Sequence, residues 1–491
     1  MRNYFQKSET MNRILTITLI ILAGLLIGFT SCQKEDVINE SPNLELKFSM
    51  DTVLFDTVFS TIGSVTRDMR VYNPTDKTVK ISSIELARGE ASNFEINVDG
   101  VSGTSFDNVK IQPNDSLYVF VRVTVDPNDK NQPFVCQDSI RFVVNSNLQD
   151  VDLVAWGQNA HFYKDSLLRG DHVWNNDKPH VIYGYVIVDD TLNSSLTINE
   201  GAQIYLHKDA ILGVDSSATL KINGTRENRV KIQGDRLEDW YEDVPGQWNS
   251  IWLAAGSKEN EIHNTVIRNG VVGIRVDTLG NSPKPTLTLT NSIIDNMQGY
   301  GLVAQGSHVV VRNTVFSNCG EHAVILNIGG TYDFRHCTIG NYWNNNSRET
   351  ASLALNNFYL YQGDTIARDL DKAYFGNSIV YGNIEEELVF SKTPQAEFNY
   401  SFENCLIKSG RNFDENENFI QCLNEEPFFR EPSEYDYHLD SLISPAIDAG
   451  NLEVVQETGE FNLNYDLDGV SRVADQKPDL GAYEFVAGEE D

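Results

Sequence analysis

The chain has 491 residues, more than one hydrophobic core of ordinary size holds, so we expect at least two domains. Its 41% hydrophobic and 22% charged residues are typical of a globular protein. The formal net charge of −32 repels phosphate backbones and anionic head groups, and we therefore expect no nucleic-acid partner. An acidic surface favours solubility, with attraction of divalent cations as the weaker alternative.

The N-terminal residues have the pattern of an export signal. Residues 14–29 form a continuous apolar run preceded by Arg13, and this run is shorter than a helix that spans a bilayer. Two small residues and Cys32 follow the run. This ending resembles the lipobox of bacterial lipoproteins, which implies a signal peptide over residues 1–31 and an acyl lipid such as palmitate on Cys32. An uncleaved N-terminal helix with an incidental cysteine is the alternative.

Residues 32–43 form a polar and acidic tether with few side chains able to pack. The stretch Gln33-Lys34-Glu35-Asp36 resembles the export tag of lipoproteins in Bacteroidota-type bacteria. The resemblance implies a lipid-anchored protein of the outer membrane that is exposed at the cell surface. An ordinary solvated linker on a periplasm-facing lipoprotein is the alternative.

Residues 44–160 are predicted to form an antiparallel β-sandwich. Residues 69–76 and 79–86 alternate apolar and polar side chains, and turn signals separate such strands. The stretch Ile111-Gln-Pro-Asn-Asp-Ser116 resembles the immunoglobulin-like domains of the ASPM/SPD-2/Hydin type. That resemblance implies a fold and no reaction, so the domain would bind a neighbouring protein or act as a spacer.

A short phrase recurs through the second half of the chain, and each copy begins with an amide or imidazole side chain. The first residues of the copies are Asn264, Asn291, Asn313, His336, Asn377 and Asn404. Intervals of this size are typical of a solenoid that stacks coils of short strands. The short strands that precede the repeat resemble the opening coils of right-handed parallel β-helices, which predicts such a helix over residues 161–440.

The recurring asparagines are interpreted as a structural ladder at one corner of the coil. Asparagine tolerates a left-handed backbone, and its amide both donates and accepts, so copies on successive coils can bond to one another. A second polar position recurs five residues later, at Asn269, Asn296, Asn318 and Asn341. The alternative is a row of ligand-binding groups. For His336 we expect a structural role rather than a metal ligand.

The cysteines after Cys32 are odd in number and lack metal-ligand spacing. Cys337 and Cys405 share the second slot of the repeat, with the Asn377 copy between them. Two layers put them about 10 Å apart, which is beyond disulfide reach. We interpret them as small buried residues that fill the core.

Two loops that leave the coil carry the best candidates for ligand contact. Residues 235–246 contain Trp240 and Tyr241, and residues 342–349 contain Tyr342 and Trp343. Aromatic rings beside amides and carboxylates suit stacking on sugar rings or on a protein partner. Arg312 and Arg335 share a register and could grip an anionic glycan on adjacent coils. The alternative is that the aromatic rings fold back and seal the coil.

Residues 441–491 are predicted to cap the open end of the coil. Residues 444–450, 466–472 and 478–484 look like the terminal signature of bacterial β-helix proteins of the choice-of-anchor Q kind. A salt-bridged cap is the preferred interpretation, because an open solenoid end templates edge pairing. Calcium binding by Asp466 and Asp468 is the alternative, since acidic Asp-x-Asp-Gly turns suit that ion.

The polar residues of the repeat do not collect into a catalytic pattern. Glycan-cleaving enzymes need paired carboxylates, or calcium-binding acids beside a basic residue. We therefore predict no catalytic residue and no cofactor beyond the calcium alternative. The preferred function is a non-catalytic, lipid-anchored cell-surface protein that binds glycan or docks to another outer-membrane component. A polysaccharide lyase or glycoside hydrolase acting on an acidic polysaccharide is the alternative.

Overall fold

The computed structural model describes residues 37–60, 63–125, 134–189, 191, 193–279, 283–440, 443–456 and 462–486. Within these residues the chain is all-β, with an N-terminal β-sandwich followed by a long parallel β-helix, which confirms the predicted fold class. No helix among the described residues is long and apolar enough to cross a bilayer. The predicted signal peptide and Cys32 lie outside the described residues.

The sandwich consists of two five-stranded sheets, with strand orders β1-β3-β8-β5-β6 and β2-β10-β9-β4-β7. Its strands are β1 (Lys47–Phe48), β2 (Thr52–Phe59), β3 (Arg67–Tyr72), β4 (Val79–Leu86), β5 (Phe94–Val98), β6 (Val101–Gly103), β7 (Ser105–Ile111), β8 (Ser116–Val123), β9 (Phe134–Val144) and β10 (Asn147–Gln158). The alternation seen in the sequence sets the packing. In β8 every second side chain, from Leu117 to Val123, is buried.

The β-helix is built from short strands joined by tight corners. Its first half contains β11 (His161–Leu168), β12 (Asp171–Trp174), β13 (His180–Val188), β14 (Ser195–Asn199), β15 (Gln203–Leu206), β16 (Ile211–Val214), β17 (Thr219–Asn223), β18 (Val230–Gly234), β19 (Ser250–Leu253), β20 (Asn260–His263), β21 (Thr265–Arg268), β22 (Val272–Val276) and β23 (Leu287–Thr290). The second half contains β24 (Ile293–Met297), β25 (Tyr300–Arg312), β26 (Val315–Cys319), β27 (Val324–Arg335), β28 (Thr338–Asn341), β29 (Leu353–Asn356), β30 (Phe358–Tyr361), β31 (Asp364–Ala367), β32 (Leu370–Gly376), β33 (Ile379–Gly382), β34 (Leu388–Ser391), β35 (Phe398–Glu403), β36 (Leu406–Ile407) and β37 (Phe419–Ile420). After the coil come β38 (Phe429–Glu431), β39 (Asp436–Leu439) and the short helix α1 (Leu452–Gln456).

Parallel pairing stacks these strands in three rows. One row begins just after the corner asparagine and runs through β21, β24, β26, β28, β33 and β36. A second row runs through β22, the first halves of β25 and β27, β29 and β34. The third row leads into the next asparagine and runs through β23, the second halves of β25 and β27, β32, β35 and β37. Each coil therefore contributes one strand to each of three sides.

The interior of the coil is filled by stacked apolar side chains. Buried Leu, Ile and Val residues form one continuous cluster from Leu168 to Phe419. Toward the C-terminal end the third row carries stacked phenylalanines on successive coils. Ring centroids lie 4.9 Å apart for Phe334 and Phe375 and 4.7 Å apart for Phe375 and Phe402. These offset stacks add to the stabilisation from burial.

The corner between the third and first rows has a left-handed backbone in every copy of the repeat. The φ angles are 47° at Asn264, 50° at Asn291, 45° at Asn313, 52° at His336, 47° at Asn377 and 48° at Asn404. The amide of Asn313 donates to Oδ1 of Asn291 on the neighbouring coil over 3.1 Å. Asn377 Nδ2 lies 3.0 Å from Nε2 of His336. Side-chain amides thus link successive corners.

The corner continues one coil beyond the last copy that the sequence pattern identifies. Gln421 has a φ angle of 51°, and its strand neighbour Ile420 pairs with Glu403. The phrase Gln421-Cys422-Leu423 is therefore a further copy after the one that begins at Asn404. The interval between these two copies is shorter than any other in the repeat, and the copy begins with glutamine instead of asparagine. For these two reasons the sequence pattern does not identify it.

The C-terminal segment packs along the side of the coil. Its apolar residues pack on outward side chains of the first row, including Val315, Ile379 and Leu406. The amide of Asn313 donates to the Tyr465 carbonyl over 2.8 Å, and that of Asn404 donates to the Ala449 carbonyl over 2.9 Å. The corner ladder supplies polar partners along this side, which explains why the segment binds there.

The acidic turns of this segment bind other groups of the protein. Asp466 accepts hydrogen bonds from the backbone N–H groups of Asp468, Val470 and Glu484. The Asp468 carboxylate lies 2.9 Å from His438 Nε2. Arg472 is fully buried and binds Glu484 and the side-chain oxygen of Asn313. The segment therefore contains the ion pairs Asp468–His438 and Arg472–Glu484.

Substitution of Asn313 tests the corner ladder. Alanine loses the bonds to Asn291, Tyr465 and Arg472 and is strained at a φ angle of 45°. We expect Asn313→Ala to destabilise the protein by about 3 kcal/mol. Asn313→Gly keeps the favourable backbone and loses only the amide, so its thermal midpoint should lie between those of the alanine variant and the unsubstituted protein. Equal midpoints for the glycine variant and the unsubstituted protein would show that the amide contributes nothing.

Candidate ligand-binding site

The loop 235–246 is fastened to the second amide position of the coil. Nδ2 of Asn269 donates to the Glu242 carbonyl over 2.7 Å, and Nδ2 of Asn296 donates to the Asp243 carbonyl over 2.9 Å. The two amides also bond to each other over 2.8 Å. Arg268 on β21 binds the Asp243 carboxylate at 3.0 Å. The second ladder therefore holds a surface loop as well as its own corner.

The loop 342–349 reaches the same corner and is held by a buried ion pair. Arg348 and Glu387 are both fully buried, and Nη2 of Arg348 lies 2.7 Å from Oε1 of Glu387. The same guanidinium donates to the Asn341 carbonyl over 2.8 Å. Ser352 donates to Glu387 from its hydroxyl over 2.6 Å. A paired and hydrogen-bonded buried charge fixes the loop in one position.

A third segment, residues 432–435, lines a small polar cleft together with the loop 342–349 and two asparagines of the second amide ladder. The cleft encloses about 20 Å³, enough for one water-sized group. Amide and hydroxyl side chains dominate its lining, which includes Asn296, Asn318, Asn344, Asn345, Ser433 and Tyr435. We call this feature the amide cleft. Asn296 connects the cleft to the loop 235–246, because it lines the cleft and also binds the Asp243 carbonyl.

The four aromatic residues predicted to contact a ligand differ in exposure. Trp240 is 59% exposed, and the Arg236 guanidinium lies over the neighbouring Tyr241 ring at 3.8 Å. Trp343 is only 4% exposed and donates its indole N–H to Asn346 over 2.8 Å. Tyr342 lines the amide cleft and packs against Phe429 and Tyr437. Trp240 is thus the ring available for stacking, and Trp343 seals the coil.

The charged side chains beside the amide cleft form ion pairs with one another. Arg268 binds Asp295 at 3.3 Å as well as Asp243, and its guanidinium lies 5.1 Å from the centre of the Tyr435 ring. Asp295 is buried and accepts a hydrogen bond from the Ser317 hydroxyl over 2.7 Å. Burial raises the pKa of Asp295 in spite of Arg268. Burial and the two nearby aspartates raise the pKa of Tyr435, so its hydroxyl stays protonated at neutral pH.

Arg312 and Arg335 are placed on adjacent coils in one register, but they do not form an exposed grip for an anion. Their side chains are 7% and 8% exposed, and both bind Asp333, at 2.7 Å and 2.9 Å. Lys372 binds the same carboxylate at 2.9 Å. Asp333 lies two residues before Arg335 in the same strand and therefore on the same face. This spacing was visible in the sequence, and it identifies a structural charge cluster.

His336 occupies a corner of the ladder and has no metal-ligand neighbours within hydrogen-bonding range among the described contacts. It is fully buried, and burial together with nearby arginines, Arg472 first, lowers its pKa well below the usual value. The neutral ring then accepts a hydrogen bond from Asn377 at the position that asparagine occupies in other copies. The histidine thus replaces an amide in the ladder.

A cluster that sequence reasoning missed lies at the first coil. His161 and His180 are register partners on β11 and β13, and their donor atoms and those of Asp177 lie within 4.8 Å of one another. His161 Nε2 lies 3.1 Å from Asp177, and the two nitrogens of His180 lie 3.2 Å from the Tyr163 hydroxyl and 2.9 Å from the Asn175 carbonyl. These are metal-ligand types, and each of these nitrogens already has a protein partner. The sequence spacing of His161, Asp177 and His180 does not match a known metal-binding motif, so their proximity could not be predicted from it.

Strands β30 and β31 form an antiparallel hairpin on the coil. Its outer residues are open to solvent, with Leu360 69% exposed and Tyr361 59% exposed. Phe358, Ile366 and Ala367 at its base are partly buried. It provides an exposed surface separate from the contacts that build the amide cleft.

No protein-family model and no curated protein matches the chain. Among solved structures, the chain is similar to the catalytic domain of a GH87 α-1,3-glucanase in complex with nigerose, at 13% identity over 70% of this chain and 82% of that one, with a TM-score of 0.18. An ASH/PapD-like domain of human CEP192 matches 25% of this chain and 89% of that one, at 10% identity and a TM-score of 0.16. A family 123 glycoside hydrolase from Clostridium perfringens matches over 25% of this chain and 26% of its own length, at 10% identity and a TM-score of 0.17. Likeness at these TM-scores carries no information about ligand or activity.

The charge cluster around Asp333 predicts a specific response to acid. Burial alone would raise the pKa of Asp333, but Arg335 and Arg312 outweigh it and lower the pKa from 3.8 to about 2. Because the folded pKa is depressed, this contribution to stability is present above pH 3.8 and is lost as the pH falls toward 2. Asp333→Asn should destabilise the protein by about 3 kcal/mol at neutral pH, since two buried guanidinium groups lose their counter-charge.

Thermal midpoints measured from pH 7 to pH 2 check this response. The midpoint of Asp333→Asn should fall less steeply than that of the unsubstituted protein below pH 4. A matched substitution of an exposed acid, Asp364→Asn on the hairpin, should leave the slope unchanged. Identical slopes for Asp333→Asn and the unsubstituted protein would contradict the assignment.

Proposed function

We propose that the protein is a non-catalytic glycan-binding protein and that the amide cleft with the loop 235–246 is its binding surface. The observation that carries this proposal is that Asn296 of the second amide ladder both lines the cleft and binds the loop 235–246. Loops held on a rigid solenoid are where recognition is usually located. The buried Arg348–Glu387 pair keeps one loop fixed before any ligand arrives, which lowers the ordering cost of binding.

The chemistry of this surface suits a polyhydroxylated ligand. Each asparagine amide both donates and accepts, which matches the two roles of a sugar hydroxyl. The cleft has room for one hydroxyl-sized group, so the sugar ring would rest on its rim. Trp240 offers an exposed face for stacking on the apolar face of a sugar. The partly exposed Asp243–Arg268 pair adds a charged contact at the same place.

The carboxylates beside the cleft support binding rather than hydrolysis. Asp243 and Asp295 both bind Arg268, and the Asp295 side chain is only 3% exposed. A general acid and a base must reach the scissile bond, and the partners of Asp295 occupy its oxygens instead. The lyase or hydrolase alternative therefore has the weaker support. The binding experiments also test this alternative, because an enzyme would depolymerise the polysaccharide that it binds.

The proposal includes a location at the cell surface. A lipid on Cys32, the acidic tether and the outer-membrane export tag would place the glycan-binding surface outside the cell. Docking to another outer-membrane component is the related alternative, and the exposed hairpin of β30 and β31 is the surface available for it.

Glycan arrays followed by calorimetry on the purified protein test the binding proposal. We expect binding to one or more glycans, and Trp240→Ala should weaken it about tenfold through loss of ring stacking. Leu360→Ser changes another exposed apolar residue, on the hairpin, and should leave the affinity unchanged. Depolymerisation of any polysaccharide, or equal loss of affinity in both variants, would overturn the proposal.

Metabolic labelling with a clickable palmitate analogue tests the anchor in a bacterium that processes lipoproteins. The unsubstituted chain should incorporate label and fractionate with the outer membrane, and Cys32→Ser should lose both properties. Cys422→Ser, a matched change at another cysteine, should keep the label. Label retained in the Cys32→Ser variant would refute lipidation at this residue. Proteolysis of intact cells then distinguishes surface exposure from a periplasmic location.

A further inference from the structure

Two cysteines lie opposite each other on the last two coils. Glu403 pairs with Ile420, and Leu406 pairs with Leu423, so the same offset in sequence relates the two coils on both sides of the corner. That offset places Cys405 opposite Cys422, with strands about 4.8 Å apart. A separation of this size falls within the range of Cα distances that a disulfide spans.

The two thiols occupy the same slot and have the same orientation. Each donates to the carbonyl of a phenylalanine on the coil before it, Cys405 to Phe375 and Cys422 to Phe402, both over 3.4 Å. The carbonyl two residues before each cysteine is a second acceptor within range of its thiol, and the Ser378 hydroxyl binds the corresponding carbonyl in its own coil. Equal orientation on neighbouring coils points both sulfur atoms to the same side of the strands.

Neighbouring copies of the slot do not repeat this arrangement. The slot between Cys337 and Cys405 holds Ser378, whose hydroxyl accepts a hydrogen bond from the Cys337 N–H over 3.1 Å. Among the described residues, Cys405 and Cys422 are therefore the thiols on consecutive coils of this corner. Cys405 is fully buried, whereas Cys422 is partly exposed and can be reached from solvent.

We propose that Cys405 and Cys422 are a disulfide-forming pair that fastens the last coil to the one before it. This inference does not depend on glycan binding, because it concerns the end of the coil. The terminal coil has a neighbour on one side only, so a covalent link there replaces the stacking that the end lacks. Closing a loop of this length constrains the unfolded chain and thereby stabilises the fold.

The reaction needs a disulfide as oxidant, and oxidised glutathione represents that class. The Cys422 thiolate attacks one sulfur of oxidised glutathione, which forms a mixed disulfide and releases one glutathione thiolate. Cys405 loses its proton and attacks the Cys422 sulfur, which releases the second glutathione. The protein loses two protons and two electrons, and the oxidant is reduced to two thiols. The roles follow from access and acidity, since a hydrogen bond from Cys405 lowers the pKa of Cys422 and burial raises that of Cys405.

Oxidation of the purified full-length protein with a glutathione redox buffer tests the pair. We expect an intact mass lower by two hydrogen atoms and a single cross-linked peptide pair containing Cys405 and Cys422. The thermal midpoint of the oxidised protein should rise by several degrees, and dithiothreitol should reverse the rise. Cys405→Ser and Cys422→Ser should each abolish the cross-link and the shift.

The serine variants are expected to fold, because serine already fills this slot at Ser292 and Ser378. Cys337→Ser is the matched control, since it makes the same change in the same slot two coils away and should keep the cross-link. Glutathione that stays on Cys422 as a stable mixed disulfide would overturn the proposal. So would thiols that all remain free after prolonged oxidation.

Discussion

The structure depends on a side-chain amide at a left-handed corner. A parallel coil must turn sharply between its rows, and the residue at that turn has a φ angle between 45° and 52° in each copy of the repeat. Asparagine adopts this backbone at low cost and can also bond to the coils on either side. The direct contact between Asn313 and Asn291 joins two such corners. One residue type therefore sets both the turn and the stacking.

The same corner determines where the C-terminal segment binds. Asn313, Asn377 and Asn404 donate to carbonyl groups of this segment as well as serving their own coil. The segment then covers apolar residues of the first row and packs with Phe429 and Tyr437, which flank the residues 432–435 that line the amide cleft. The second amide ladder holds the loop 235–246, and Asn296 of that ladder also lines the cleft. Corner chemistry thus connects the stability of the coil to the assembly of the candidate site.

Much of the fold could be predicted from sequence, because the corner requirement is local and repeats. The alternation of apolar and polar residues in the sandwich strands can be recognised within a few residues. So can each copy of the phrase that begins with asparagine. The copy at Gln421 was missed because glutamine replaces asparagine there and the interval from Asn404 is the shortest in the repeat. Asp333 was visible beside Arg335, yet its pairing with Arg312 required the coil register.

The position of the C-terminal segment and the exposure of individual rings could not be predicted. The acidic turns of that segment indicate hydrogen bonding, but they do not specify which surface of the coil supplies the partners. Trp240 and Trp343 stand in similar polar surroundings in the sequence, whereas one is exposed and the other buried. Contacts between residues far apart in the chain, such as Asn313 with Tyr465, decide both outcomes.

Hydrogen–deuterium exchange of the native protein tests most directly whether amide corners hold the C-terminal segment on the side of the coil. Peptides from residues 462–486 should be protected as strongly as peptides that contain the Asn313 and Asn377 corners, and Asn313→Gly should reduce protection in both regions together. Complete exchange of residues 462–486 within seconds, with the coil still protected, would contradict the account.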